Sequence, residues 1–315
     1  MMSHNLLDRL EPSLEREIYA THDRYLEYIS DEELDRRYLS LRRQLRAAEI
    51  AATAEPVRWD FPLHNWMGPG YWLRKELLTA EEFRLRRRLL PTLQAPHPPK
   101  FDRARPRSLA GKRPGGDAFL IRFGEEPHLR AMHEQGEVRL SAAAALIAKE
   151  NNIARQDDEL EKRRFTRGEH LRVVGPGGMP IPVLGAARFA RQARNYYFLC
   201  LSNDFDADLF ADFEVDACLI IHDPETFASR LEKAAKRRLG DWLFGHFNVE
   251  YYDPYESAPG GLINTMMSKN IFFAYEKEYR FCWAPPEGGL CADKALFLNL
   301  GPLTDITEIY VPKRV

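Results

Sequence analysis

Ala274-Tyr275-Glu276-Lys277-Glu278-Tyr279-Arg280-Phe281 decides how the later part of this chain is read. Aromatic and charged residues alternate through it at period 2, the pattern of a strand with one buried face. Phe273, Tyr275, Tyr279 and Phe281 are then expected on one side. Glu276, Glu278 and Arg280 are expected on the other, in a row spaced by about 7 Å. The flanks Ile271-Phe272-Phe273 and Phe281-Cys282-Trp283 are too apolar for a solvated edge, so the strand is placed inside a sheet or along a cleft. The plainer alternative is an exposed sheet face carrying an ion pair.

Upstream of that stretch, strand and helix signals alternate. Residues 118–124 read as a short apolar strand with one arginine, Arg122. A helix follows over 125–135, with Pro127 in its first turn and Gly136 at its C-terminal stop, then a second strand over 137–141. Residues 142–165 read as helical and hold Asn151, Asn152, Arg155 and the acidic group Asp157-Asp158-Glu159. Residues 166–182 read as a mobile, glycine-rich loop. Strands are expected over 196–202, 217–221 and 247–252. Between the last two, 224–239 reads as a helix with basic residues at its C-terminal end, as the helix dipole prefers. Further strands are expected over 295–300 and 306–311.

Residues 1–95 read as a helical region. Leu34, Tyr38, Leu41 and Leu45 recur at helical spacing behind a capping box of Ser30 and Glu33, and Thr79 with Glu82 reads as a second capping box. The latter opens a helix carrying Arg84, Arg86, Arg87 and Arg88. The aromatic loop from Trp59 to Trp72 is expected to pack the helices or to meet a ligand. Residues 96–116 hold prolines and basic side chains without periodicity and read as a linker. A second domain is placed over 117–315.

The 315-residue chain has 45 basic and 47 acidic side chains, for a net charge of −2, so no global field recruits nucleic acid or anionic lipid. A local patch must do so: the basic residues at 84–88 and 100–113 are candidates, against their plainer reading as solvated surface. Cys200, Cys218, Cys282 and Cys291 lack C-x-x-C spacing, which argues for a reducing, cytoplasmic setting and against a metal site. No apolar run approaches the roughly 18 residues of a membrane span. Dinucleotide-binding G-x-G-x-x-G, phosphate-binding G-x-x-x-x-G-K-[ST], G-x-S-x-G and H-E-x-x-H motifs are all missing from the sequence.

One polar position stands out on each of three strands: Arg122, Ser202, and Glu276 with Glu278. Arginine on a first strand, serine on a middle one and Glu-x-Glu on a late one resembles the Arg-Ser-Glu class of mono-ADP-ribosyltransferases, over roughly residues 117–315. Leu140-Ser141, the Arg155 to Glu159 cluster, Leu201-Ser202 and Tyr275 to Arg280 are also similar to a poorly characterised bacterial family associated with phage defence. The resemblance implies an α+β fold: an ADP-ribosyltransferase-like split β-sandwich with flanking helices, preceded by the helical N-terminal region. It implies NAD as the substrate and no metal. The usual serine-threonine-serine of the middle strand is reduced here to Leu201-Ser202-Asn203.

By the resemblance Glu278 faces the positive charge that develops on the ribose when nicotinamide leaves, as in glycoside hydrolysis. Glu276 then orients or deprotonates the acceptor, Arg122 holds the diphosphate, and Ser202 fixes Glu278 or the ribose. Arg280 keeps the carboxylates ionised at the cofactor or serves as their structural counter-ion. Residues 257–270, with Pro259-Gly260-Gly261, correspond to a loop that closes over ligand. The acceptor is expected to be RNA or DNA in preference to protein, and the setting implies a toxin held by an antitoxin-type partner. An NAD glycohydrolase and a non-catalytic binding module of the same fold are the alternatives.

Overall fold

The computed structural model describes residues 14–21, 24–54, 69–92, 101–102, 104–112, 118–147, 158–256 and 263–314. Residues 148–157 and most of the aromatic loop lie outside these, so the readings of Asn151, Asn152 and Arg155 and of Trp59 to Gly68 are not addressed. The chain divides into two compact units. One comprises residues 1–94, 163–189 and 253–261; the other comprises 95–162, 190–252 and 262–315. Among the described residues, no helix is long and apolar enough to cross a membrane.

The first unit is built on α1 (Leu14–Thr21), α2 (Asp31–Ala54) and α3 (Pro69–Leu85). Ser30 caps α2 as expected: the Glu33 N–H donates to its Oγ at 3.2 Å, and that hydroxyl donates to the Glu33 carboxylate at 3.0 Å. Leu34, Tyr38, Leu41 and Leu45 are all buried. The second expected capping box is corrected. Thr79 lies inside α3 and donates its hydroxyl to the Lys75 carbonyl, while Glu82 is a buried acceptor for Tyr19, Arg24 and Arg86. The motif matched because Thr-x-x-Glu also occurs where a helix turns a polar side inward.

The second unit is mixed α+β around a large antiparallel sheet. Its strands are β1 (Leu120–Gly124), β2 (Glu137–Ala142), β7 (Tyr197–Ser202), β8 (Ala217–Ile221), β9 (Leu243–Asn248), β12 (Glu278–Ala284), β13 (Leu296–Asn299) and β14 (Thr307–Tyr310). β7 pairs with β12 from Ser202 opposite Glu278 to Tyr197 opposite Trp283. Its other edge forks: Tyr197 and Phe198 pair with β2, and Ser202 pairs with Ile121 of β1. α4 (Glu126–Gln135) connects β1 to β2 across that fork, stopped by Gly136 in the left-handed region.

α7 (Pro224–Leu239) begins at an Asp223 cap and ends in Lys236, Arg237 and Arg238, the basic end the sequence predicts. Its Phe227 and Leu231 join Leu120, Leu199, Leu219 and Phe281 in the core on one face of the sheet. On the other face Phe119, Ile121, Cys218 and Ile220 form a second core with Phe210 and Tyr275. Leu109 is fully buried in that core, so the proline-rich segment expected to lack a core contributes to one.

Residues 161–182 differ from expectation. β3 (Glu161–Arg167) pairs with β6 (Ala186–Gln192), and β4 (Val173–Val174) pairs with β5 (Pro180–Ile181). The expected end of a helix and the expected loop together form a β-ribbon.

Candidate functional site

The decisive stretch does not form one continuous strand. Ile271–Glu276 is a 3₁₀ helix, capped by the Asn270 carboxamide, which accepts from the Phe272 N–H at 3.1 Å. Ile271, Ala274 and Tyr275 face inward at helical spacing, so the aromatic alternation belongs to two elements. Lys277 follows with φ +46° and ψ +50°, and β12 starts at Glu278. Left-handed backbone costs a non-glycine residue about 1–2 kcal/mol. Here it is held by the Asn203 N–H on the Lys277 carbonyl at 2.9 Å and by an ion pair of Lys277 with Asp204. The two tyrosines expected together in a core are separated. Tyr275 is buried below the sheet, whereas Tyr279 is half-buried on the opposite face and shares a 2.6 Å hydrogen bond with His246.

The kink gives the two glutamates a common partner. A regular strand would hold their carboxylates about 7 Å apart. Instead Lys269, at the centre of β11 (Ser268–Asn270), puts its ammonium 2.7 Å from Glu276 and 3.1 Å from Glu278. β11 is placed by parallel pairing with β10 (Glu250–Tyr252), and Tyr251 of β10 accepts the Glu278 N–H at 2.8 Å.

Arg280 supports Glu278 from its other side. Its Nε donates to Glu278 at 2.6 Å, and its two terminal nitrogens donate to the Glu159 carboxylate at 2.7 and 3.0 Å. It also donates to the Met266 carbonyl and lies over the Phe198 ring. With Lys162 3.8 Å from Glu159, three acids and three bases balance one another in a volume from which water is largely excluded. Glu278 and Arg280 are 3% and 0% exposed.

Burial pushes the Glu278 carboxyl up, but the adjacent Arg280 and Lys269 charges outweigh it and hold the group well below the usual carboxylate range. Glu159 is likewise raised by burial and lowered further by Arg280 and Lys162. Burial and the neighbouring carboxylates push the Tyr251 and Cys200 hydroxyl and thiol far up, so both stay neutral. Glu278 therefore remains an anion at physiological pH, suited to face a cation and poorly suited to take up a proton.

The other expected site residues are placed differently. Ser202 stands in register with Glu278, and its buried hydroxyl lies 2.8 Å from both the Glu276 and the Asp204 carbonyls. It thus ties the end of β7 to the kink. Ile121 is the β1 residue in that cross-strand row, so the next residue, Arg122, projects from the opposite face. There it donates to the Cys200 carbonyl at 2.6 Å, at the fork of β7 between the β2 and β1 pairings. The structure thus brings Ser202, Glu276, Glu278 and Arg280 together and leaves Arg122 outside that group. A cleft of about 610 Å³ lies elsewhere, lined by Arg130, His133 and Thr307 among others.

Sequence reasoning missed Lys269 and Tyr251. Lys269 is the one basic residue between 257 and 276, a signal with meaning only once the fold brings it over the glutamates. Glu159 was visible within the acidic group. Among the described residues no group of His, Cys, Asp and Glu is gathered as a metal site requires, and the four cysteines are free thiols. Compared with protein-family models, curated proteins and solved structures, the chain matches none.

Proposed function

We propose that the chain is an NAD-dependent mono-ADP-ribosyltransferase with a split-sandwich core, in which Glu278 stabilises the cationic ribose as nicotinamide departs. One observation carries the reading: Glu276 and Glu278, two residues apart on either side of a left-handed kink, share the cation Lys269 beside Ser202 at the end of β7. A fixed, ionised carboxylate in a dry setting is what an oxocarbenium-like transition state requires. In the ligand-free chain the Lys269 ammonium takes the place of that positive charge.

In the reaction the bond between the ribose C1′ and the nicotinamide nitrogen breaks, its electron pair leaving with neutral nicotinamide. A nucleophilic atom of the acceptor forms the new bond to C1′, and Glu276 takes the proton it loses. The forked edge of β7 supports the split-sandwich assignment. Arg122 has no part in the proposal, because it projects from the other face.

A second reading has its own support. Complete burial and balanced charge also describe a structural ion cluster, which suits a non-catalytic module of the same fold. The experiment is incubation with NAD labelled in the adenylate and with cell lysate, following both nicotinamide release and transferred label. Glu278→Gln should lower nicotinamide release by about 10²–10³-fold, with Glu276→Gln affecting transfer more than release. Free ADP-ribose as sole product would make the protein an NAD glycohydrolase. No release by the wild type, with no heat of NAD binding by calorimetry, leaves the structural cluster.

A further inference from the structure

Arg84, Arg86 and Arg88, which the sequence offers as a nucleic-acid surface, pair with Glu81, Glu82 and Asp35 and hold the helical unit together. The surface open to a partner is a sheet edge in the other unit. β9, Leu243-Phe244-Gly245-His246-Phe247-Asn248, is an outer strand: among the described residues it pairs with β12 and with no other strand. Its register on β12 runs without a bulge, and it holds no lysine, carboxylate or proline. Those are the devices that keep an edge from pairing with another chain. The other outer strands are less open. β14 carries Glu308 and has Ala104 against its Tyr310 hydroxyl, and β13 is four residues long.

The Val249 N–H donates to the Glu278 carbonyl at 2.9 Å. Residues that bond to one neighbour recur at every second position of an antiparallel pair, so Leu243, Gly245 and Phe247 bond to β12, while Phe244, His246 and Asn248 turn their N–H and C=O groups outward. Side chains alternate in step. Phe244 and His246 stack over Phe281 on one face. Leu243, Gly245 and Phe247 lie on the other, where Leu243 is 71% exposed.

Nothing described in the chain calls for glycine at 245. Its φ is ordinary, and the nearest described atom to a Cβ there is a Phe247 ring carbon at 3.9 Å, a normal contact. Glycine inside a strand weakens it and marks a place where another backbone comes close. The strand's two ends also carry opposite charge. Lys236, Arg237 and Arg238 are exposed at the end of α7 and outnumber Asp241 ahead of β9, whereas Glu250 is exposed just beyond it.

We propose that β9 is the contact of a two-fold dimer, in which two copies of the chain pair this strand antiparallel about Gly245 and join their sheets. The two glycines then face each other in the closer type of antiparallel pair, with Cα atoms about 4.5 Å apart. Each exposed Leu243 lies opposite the partner's Phe247, and each His246 opposite the partner's Phe244. The outward groups of Phe244 and His246 supply about four main-chain hydrogen bonds. Each basic helix end comes beside the partner's Glu250, an arrangement that parallel pairing would replace with like ends together. The patch is self-complementary, as a two-fold axis requires. A contact of one strand is small, so association is weak and depends on concentration.

The inference is independent of the proposed transferase reading and is tested without NAD. Sedimentation of the full chain, from submicromolar to submillimolar concentration, should show the mass rising from one chain to two and no further. Gly245→Lys sets two ammonium groups across the axis and should weaken association by about tenfold or more, whereas Gly245→Ala should leave it nearly unchanged. Glu250→Arg should weaken it several-fold, and adding Arg237→Glu with Arg238→Glu should restore it. Gly245→Cys should form an intermolecular disulfide on mild oxidation, because the facing Cα atoms are within disulfide reach. Asn248→Cys, which faces Trp242 in this register, should not. The charge reversal and the cross-link decide the matter even where Gly245→Lys fails to fold. A wild-type chain that stays monomeric throughout, masses beyond two chains, undiminished association in Gly245→Lys, or equal cross-linking at 245 and 248 would overturn the proposal.

Discussion

At the scale of single residues, Lys269 governs the site more than either glutamate does. Two carboxylates on one ammonium, away from water, are held by a strong local field; without the ammonium they are like charges in a poor solvent. Lys269→Met keeps much of the side-chain volume and removes the charge, so it should destabilise the fold by about 3–5 kcal/mol at neutral pH. The loss has a pH signature. Without its cation the Glu276 and Glu278 pair takes up a proton more readily in the folded than in the unfolded chain, a raised folded pKa. Stability of the variant then recovers as pH falls through that raised value, so its deficit should be smaller at pH 5 than at pH 8. Urea unfolding of both proteins at the two pH values measures this, and an equal deficit would count against the shared-cation geometry. Glu276, Glu278 and Arg280 were legible because an alternating aromatic and charged pattern marks a polar row, whereas Ser202, at the end of an apolar strand, stood out only by its order between Arg122 and Glu-x-Glu. Lys269 was not, since a lone lysine in a segment of mixed polarity carries no local pattern.

At the scale of elements, local punctuation was the legible part. Pro127 in the first turn and Gly136 at the end bound α4 where the sequence predicts, because each acts through its own backbone. Gly136 has a φ of +72°, and a Cβ there would lie 1.9 Å from the Gly301 carbonyl oxygen. Gly111 has the same φ with nothing within 4 Å, and so it isolates the conformational part. Gly111→Ala should cost about 1–2 kcal/mol, and Gly136→Ala clearly more, because backbone must also move. Thermal unfolding of the two variants gives the difference; equal shifts would mean that β13 and its turn yield freely. The Lys277 kink and the ribbon were not legible for a shared reason. Both depend on partners distant in sequence: Asn203 and Asp204 for the kink, Pro254 and Tyr255 for the ribbon root. Period 2 across 273–281 describes the side chains and leaves the break in the backbone unmarked.

At the scale of the whole molecule, each unit is built around buried, balanced charge. In the helical unit Arg37 donates to Asp253 at 2.8 and 2.6 Å across 216 residues of sequence, and Lys75 lies 3.1 Å from the same carboxylate. No spacing in the sequence reveals such a pair, which is why residues 253–261 were not assigned to the first unit. Burial pushes Asp253 up, yet Arg37 and Lys75 overcome it and hold the carboxyl well below the usual range. Glu159 and Glu278 are depressed for the same reason in the other unit. A carboxyl with a depressed folded pKa contributes stability that is complete above its unfolded value, about 4, and is lost as pH falls through its folded value. Stability should therefore be nearly level from pH 7 to 5 and fall below pH 4. Each of these carboxyls adds up to about 1.4 kcal/mol per pH unit to the decline. Because both units carry such a cluster, near-ultraviolet signals from Trp72 of the first and Trp283 of the second should both weaken in that acid range. Following Trp72→Phe and Trp283→Phe separately through an acid titration assigns each signal. A signal that persists unchanged to pH 2 in either variant would show that its unit does not depend on the ionised cluster at its centre.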